Sequence, residues 1–282
     1  MHFKMLRLKN LASGSAGNAT VVEASDGLHT RRLLVDCGIG PRQLETRLAA
    51  AGLQIGQIDG LFITHEHSDH IGCTHALALR HRIPVWMSQG THMAIGAPDF
   101  DGLLTLARDL QPIELGPLSF RPFTVPHDAR EPLQLRCTDG AHDLALLTDL
   151  GHATPHVLQQ VAGCHALFIE ANHDPDLLAA SAYPAFLKRR VGGAYGHLAN
   201  QATAAIVQAV RHEGLKWVAA AHLSARNNTP DLARQALAGA LQWAPELIVV
   251  ADQALGTGWL TVGEQPAPAG PLSPPPLPTS LF

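Results

Sequence analysis

Three imidazoles and a carboxylate stand within six residues in the run Thr64-His65-Glu66-His67-Ser68-Asp69-His70, and that set of donors binds a divalent metal. Imidazole and carboxylate ligands suit Zn²⁺ and also Mn²⁺ or Fe, so ligand type leaves the metal open. The apolar stretch Ile58 to Ile63 reads as a short buried strand and Ile71 to Arg82 as a helix, which places the run in a strand-to-helix loop. In extended backbone His65 and His67 point to the same side. Asp69 and His70, where the chain turns into the helix, face a second position beside the first, so the spacing suggests two metals. The pattern is not the H-E-x-x-H signature, which needs histidines at i and i+4 of one helix. The chain carries 17 histidines, so isolated ones such as His29, His92 and His212 read as surface or paired core residues. A cluster of four donors between two apolar elements carries a different weight.

Stepping outward, apolar and polar segments alternate as strands and helices. Phe3 to Lys9, Ala19 to Glu23 and Arg32 to Val35 read as strands, followed by a helix from Pro41 to Ala51 with proline in its first turn and Gly52 at its end. Ile83 to Met87 follows the metal loop as a strand. Leu110 to Leu115, Leu118 to Val125, Pro132 to Cys137 and His142 to Leu147 form a second β block. Helices over Thr154 to Val161, Ala199 to His212 and Pro230 to Leu241 then alternate with strands at Ala166 to Glu170, Trp217 to Ala221, Leu247 to Ala251 and Thr257 to Val262. This rhythm predicts an α/β fold, a four-layer αββα sandwich of two similar halves in which loops at one edge of two stacked sheets converge on a cleft. The remaining ligands are then expected just after apolar strands. His127, Asp149 and His222 hold those positions.

Residues 1–262 are expected to form one domain, since a chain of this length buries about three quarters of its unfolded surface in one core. A formal net charge of −4 excludes a broadly basic surface, so any nucleic acid must be bound through a local patch. Cys37, Cys73, Cys137 and Cys164 lack a C-x-x-C pair and read as buried free thiols. The N-terminal residues lack a secretory apolar region, and no apolar stretch reaches the roughly 20 residues that cross a bilayer, so the expected location is the cytoplasm, with no membrane partner. Residues 263–282, dense in proline, read as a disordered tail.

The run Thr64 to His70 resembles that of the metallo-β-lactamase fold hydrolases. Within them the chain looks similar to the YycJ (WalJ) group of exonucleases, through Ser13-Gly14-Ser15-Ala16-Gly17-Asn18, Pro126-His127-Asp128-Ala129, Thr148-Asp149-Leu150-Gly151, Glu170-Ala171-Asn172-His173-Asp174, Gly196-His197-Leu198-Ala199-Asn200 and Ala221-His222-Leu223-Ser224. The resemblance runs in order from about Leu8 to Asp252. It implies two divalent metal ions, Zn or Mn, one held by His65, His67 and His127, the other by Asp69, His70 and His222, with Asp149 bridging them. A hydroxide between the metals would be the nucleophile.

His197 is the expected general acid, because related tRNA 3′-processing nucleases carry a histidine in a similar Gly-His-Ser loop. Glu170 would orient that imidazole and favour its cation, Asp69 joins the catalytic set, and Asp36 would hold a ligating histidine. His173, Asn200 and Arg226 are expected to contact substrate, and Lys188-Arg189-Arg190 offers a basic run for phosphates. The function implied is metal-dependent phosphodiester hydrolysis of DNA or RNA. A thioester or lactone hydrolase of the glyoxalase II type shares the opening run, and a non-catalytic binding protein on the same fold is the other alternative. Against the last stands the retention of all seven ligands. An oxygen-reducing di-iron relative would carry glutamate at the position of His67.

Overall fold

The computed structural model describes residues 4–266. Six strands, β1 (Met5–Ala12), β2 (Ala19–Ser25), β3 (Thr30–Val35), β4 (Gly60–Phe62), β5 (Val85–Ser88) and β6 (Leu104–Ala107), build most of a first sheet. A second takes β7 (Ile113–Leu115), β8 (Leu118–Thr124), β9 (Leu133–Thr138), β10 (Asp143–Leu147), β11 (Ala166–Glu170), β12 (Trp217–Ala221) and β13 (Val249–Val250). The chain then returns as β14 (Trp259–Thr261) to the edge of the first sheet beside β1. Helices α1 (Pro41–Ala50), α2 (Ser68–Ile71), α3 (Thr74–His81) and α4 (Gln89–Ala94) belong to the first half, and α5 (Pro155–Val161), α6 (Pro175–Ala180), α7 (Ala185–Val191), α8 (Asn200–Val210) and α9 (Pro230–Leu241) to the second.

Three apolar cores make this an αββα sandwich, as the alternation of segments led us to expect. Leu8, Val22, Leu33 and Phe62 meet Phe120, Leu146, Phe168 and Ala219 between the sheets. Leu44, Leu48 and Leu77 cover the outer face of the first sheet, while Val157, Ile206 and Leu237 cover that of the second. In β11, Ala166 and Phe168 face the central core and Leu167 and Ile169 the outer one, which is why the strand is an unbroken apolar run. β3, β4 and β5 run parallel in one sheet and β10, β11 and β12 in the other, so each triplet delivers its C-terminal ends to one edge.

The structure corrects several sequence expectations. The helix expected over Ile71 to Arg82 is broken into α2 and α3 at Gly72, whose φ is +32° and whose missing Cβ would lie 2.2 Å from the Cys37 carbonyl oxygen. The pattern also hides α4, β6, α6 and α7. Only Ala107 of β6 is buried, only Leu178 of α6, and no residue of α7, so no apolar period marks them. Cys37, Cys137 and Cys164 are buried free thiols, but Cys73 is only half-buried, its Sγ 3.2 Å from that of Cys37. Among the described residues no helix is long and apolar enough to cross a membrane. The proline-rich tail from residue 267 onward lies outside the described residues.

Candidate metal centre and active site

Three polar residues just past strand ends adopt left-handed backbone: Asp36 after β3 at φ 61°, Asp149 after β10 at φ 54° and His222 after β12 at φ 53°. Non-glycine residues hold this conformation at a cost of about 1–2 kcal/mol, so each turn must be imposed by its surroundings. Here it turns a side chain off the strand end into the space between the sheets' edges. The other strand ends supply Thr64 to His70 after β4, His127 after β8, and Glu170 as the last residue of β11.

These residues assemble into overlapping clusters. His65, His67 and His127 offer nitrogens within 4.8 Å of one another, as do the donors of Asp69, His70 and His222, while Asp149 joins both His70 and His222 in further groups. The contacts are close: His65 Nε2 lies 3.0 Å, and His127 Nε2 3.3 Å, from His67 Nδ1. Asp149 Oδ2 lies 3.3 Å from His70 Nε2, and its Oδ1 3.3 Å from His222 Nδ1. All seven expected ligands therefore meet at one site.

Their outward-facing atoms are held by the protein. His70 Nδ1 donates to Asp36 Oδ2 at 2.7 Å, His127 Nδ1 to the Gly196 carbonyl at 3.1 Å, and His222 Nδ1 to Glu170 Oε1 at 2.9 Å. Thr64 Oγ1 donates to Asp36 and lies 3.0 Å from His65 Nδ1. Such partners fix ring orientation and leave the opposite nitrogen for a metal. Among the seven expected ligands, two buried atoms, Asp149 Oδ2 and His222 Nε2, have no hydrogen-bond partner. Orphans of this kind cost about 1–3 kcal/mol each and are what a cation would satisfy, so the donor set fits a divalent metal.

Electrostatics divides the clusters. Burial, reinforced by the neighbouring His70, pushes His65 well below the ordinary histidine value, and burial also lowers His127. Burial opposes the cation on His70 too, but Asp149, Asp36 and Asp69 outweigh it and lift the group to about 9. His222 is raised in the same way by Asp149, Asp69 and Glu170 against the cost of burial.

His197, the expected general acid, borders the same site. It lines a cavity of about 380 Å³ with His67, Asp69, Asp149 and His222, and its Nδ1 is 2.9 Å from Glu170 Oε1. Its cation is disfavoured by burial but favoured more by Glu170 and Asp149, so its pKa is raised. The three residues expected to contact substrate are not among those lining the cavity. Asn200 is buried in a reciprocal amide pair with Asn228 at 2.9 and 2.8 Å, and His173 is buried, its backbone bridged to Ala199. Both brace the loop that carries His197. Arg226 is exposed, 6.0 Å from the ring centroid of Tyr183, which does line the cavity.

Sequence reasoning missed other participants. Asn18 Nδ2 lies 3.0 Å from His70 Nε2 while its backbone N–H donates to the Asp69 carbonyl at 2.7 Å, and Ser13 Oγ accepts from the His222 N–H at 2.7 Å. The Ser13 to Asn18 motif was their one signal. Asp128 and Tyr183 also line the cavity, as does Arg190 of the basic run singled out in the sequence.

Comparison with known proteins agrees with this architecture. Residues 31–218 match the β-lactamase superfamily domain. The chain is 32% identical over 247 residues to the exodeoxyribonuclease YycJ of Bacillus anthracis, covering 86% of this chain and 89% of that protein. It is 29% identical to the exodeoxyribonuclease WalJ of Streptococcus pneumoniae, covering 93% and 96%. Among solved structures, the metallo-β-lactamase fold protein YhfI of Bacillus subtilis superposes with a TM-score of 0.70 at 16% identity, covering 91% of this chain and 99% of that one. Human tRNase Z, short form, does so with a TM-score of 0.62 at 16% identity, over 91% and 99%. With its strand-end histidines and aspartates in place and this match over most of its length, the chain belongs to the β-lactamase superfamily and carries its metal-dependent hydrolase fold.

Proposed function

We propose that this metal-dependent hydrolase cleaves phosphodiester bonds of nucleic acid, as an exonuclease. The observation that carries the reading is His197 on the cavity wall with Nδ1 on the buried Glu170. That bond leaves Nε2 as the nitrogen that hands a proton to the leaving oxygen, a step that phosphodiester cleavage needs. The names of the two relatives that match most of the chain favour DNA as the substrate. His65, His67 and His127 would hold one divalent cation, Zn or Mn, and Asp69, His70 and His222 a second, with Asp149 shared. Such cations supply Lewis acidity, activating a water and taking up charge on the scissile phosphate. Glu170 keeps the His197 proton in place, and Asp36 keeps His70 aligned.

The test is a substrate panel. Protein loaded with Mn²⁺ or Zn²⁺ should shorten end-labelled single-stranded or duplex DNA or RNA, and a chelator should abolish this. Metal-loaded protein that ignores every nucleic acid yet hydrolyses a thioester or lactone would overturn the reading.

Metal loading should also release protons. Without metal, neighbouring carboxylates hold a proton on His70, lifted to about 9, and favour one on His222, whereas burial disfavours the cation on His65 and His127. Loading at pH 7.5 is expected to expel protons, mostly on filling the second position, whose affinity therefore falls more steeply as pH drops. Calorimetric titration in buffers of different ionisation enthalpy measures the number; a value near zero would refute this account.

A further inference from the structure

The cavity that holds His197 is lined by three carboxylates, Asp69, Asp128 and Asp149, with three imidazoles, His67, His197 and His222, and one guanidinium, Arg190. A polyanionic strand extending from the scissile phosphate gains grip from a cation that is not a metal ligand. Of the basic run in α7, only Arg190 lines the cavity. Lys188 instead folds back so that Nζ donates to the Ala179 carbonyl.

Arg190 is held by a carboxylate that stands beside the metal ligands. Its Nε donates to Asp128 Oδ2 at 2.6 Å, and Asp128 Oδ1 lies 3.5 Å from His127 Nε2 and 3.8 Å from His67 Nε2. The pair is open to solvent, with 61% of the arginine side chain and 30% of the aspartate side chain exposed. Ion pairs this exposed are weak, about 0–1 kcal/mol, whereas a guanidinium grips a phosphate through two charge-assisted hydrogen bonds. Exchange of the carboxylate for a phosphate is therefore favourable and local. Leu187, Arg190 and Val191 lie at helical spacing on the face of α7 that lines the cavity, and Tyr183, two residues before that helix, lines it too and offers its ring as a stacking surface for a base.

Resting on the phosphodiesterase reading above, we propose that α7 with Tyr183 is the nucleotide-holding wall of the cleft. Arg190 releases Asp128 to bind a phosphate next to the scissile one, and Tyr183 carries the adjacent base. Arg190 and Tyr183 are then residues that determine grip on the strand and not the chemistry of cleavage.

Binding of a fluorescently labelled single-stranded DNA oligonucleotide with cleavage-resistant phosphorothioate linkages by the metal-loaded full chain, followed by anisotropy over a range of salt concentrations, tests this without turnover. Arg190→Ala should weaken binding about tenfold and reduce the slope of log affinity against log salt by about one. Arg190→Lys should keep the slope while losing part of the affinity, which separates a lost contact from a damaged fold. Tyr183→Leu should weaken binding about tenfold with the slope unchanged. Wild-type protein that does not bind the oligonucleotide, or an Arg190→Ala variant that binds within twofold of wild type with the same slope, would overturn the proposal. Because the readout is binding, failure here leaves the hydrolysis panel to decide the phosphodiesterase reading independently.

Discussion

Glu170→Gln is expected to lower phosphodiester turnover by about 100- to 10,000-fold while the protein still folds. One carboxylate oxygen of Glu170 accepts from His197 Nδ1 and from His222 Nδ1, both at 2.9 Å, and the other accepts from the backbone N–H groups of Leu198 at 2.9 Å and Leu150 at 3.3 Å. Four donors converge on a side chain that is fully buried. Glutamine matches the shape, but its amide group must point an N–H at one of these two donor pairs, and it removes the charge that favours the His197 cation. Loss of the bond to His222 should also weaken metal binding about 10- to 100-fold, the usual cost of removing a partner that orients a ligand. His197→Ala separates the two effects. It should match the loss of turnover with full metal content, because His197 belongs to none of the ligand sets assigned to the two cations. Steady-state rates on labelled DNA and metal analysis of dialysed protein measure both. Turnover within tenfold of wild type in either variant would remove His197 from the reaction.

What was legible in the sequence was what local pattern encodes. His65 to His70 are close along the chain, and His127, Asp149 and His222 each follow an apolar run, so strand ends marked them. Asp36 was visible for the same reason after Leu33-Leu34-Val35, and it does hold His70. Asn18 follows no strand of that kind, and Asp128, though next to His127, showed no sign of its partner; their places depend on contacts across 51 and 62 residues. Of the wall built by α7 only the basic run Lys188-Arg189-Arg190 was legible, because that helix buries nothing and so has no apolar period. Asn200, adjoining the Gly196-His197 motif, was expected at the substrate. Its partner Asn228 lies 28 residues away, and a reciprocal amide pair is not readable from either position alone.

The metal loop's dependence on backbone contact leads to the second large effect: Gly38→Ala is expected to destabilise the fold by about 3 kcal/mol or more. A Cβ on Gly38 would lie 1.7 Å from the Asp69 carbonyl oxygen, 2.2 Å from its carbon and 2.9 Å from the Asn18 nitrogen. All three are backbone atoms, so no side chain can swing aside. The same carbonyl accepts the Asn18 N–H at 2.7 Å, Gly38 N–H donates to the Asn18 carbonyl at 2.9 Å, and Cys37 N–H donates to the His70 carbonyl at 2.8 Å. Relief of the clash must therefore move Asp69 and His70 together, separating them from His222 and Asp149. Any fraction that folds should bind less metal and lose it first from the Asp69, His70 and His222 cluster. Gly239→Ala is the control, since that glycine sits exposed in α9 with nothing within 4 Å of an added Cβ. There alanine should stabilise by about 0.5–1 kcal/mol, because it restricts the unfolded chain and favours helix. For a chain of this size the two changes should shift the thermal midpoint in opposite directions, down by roughly 6–12 °C and up by a few degrees. A Gly38→Ala protein that melts with the wild type and keeps its full metal content would show that backbone contact at Gly38 does not set the position of the metal loop.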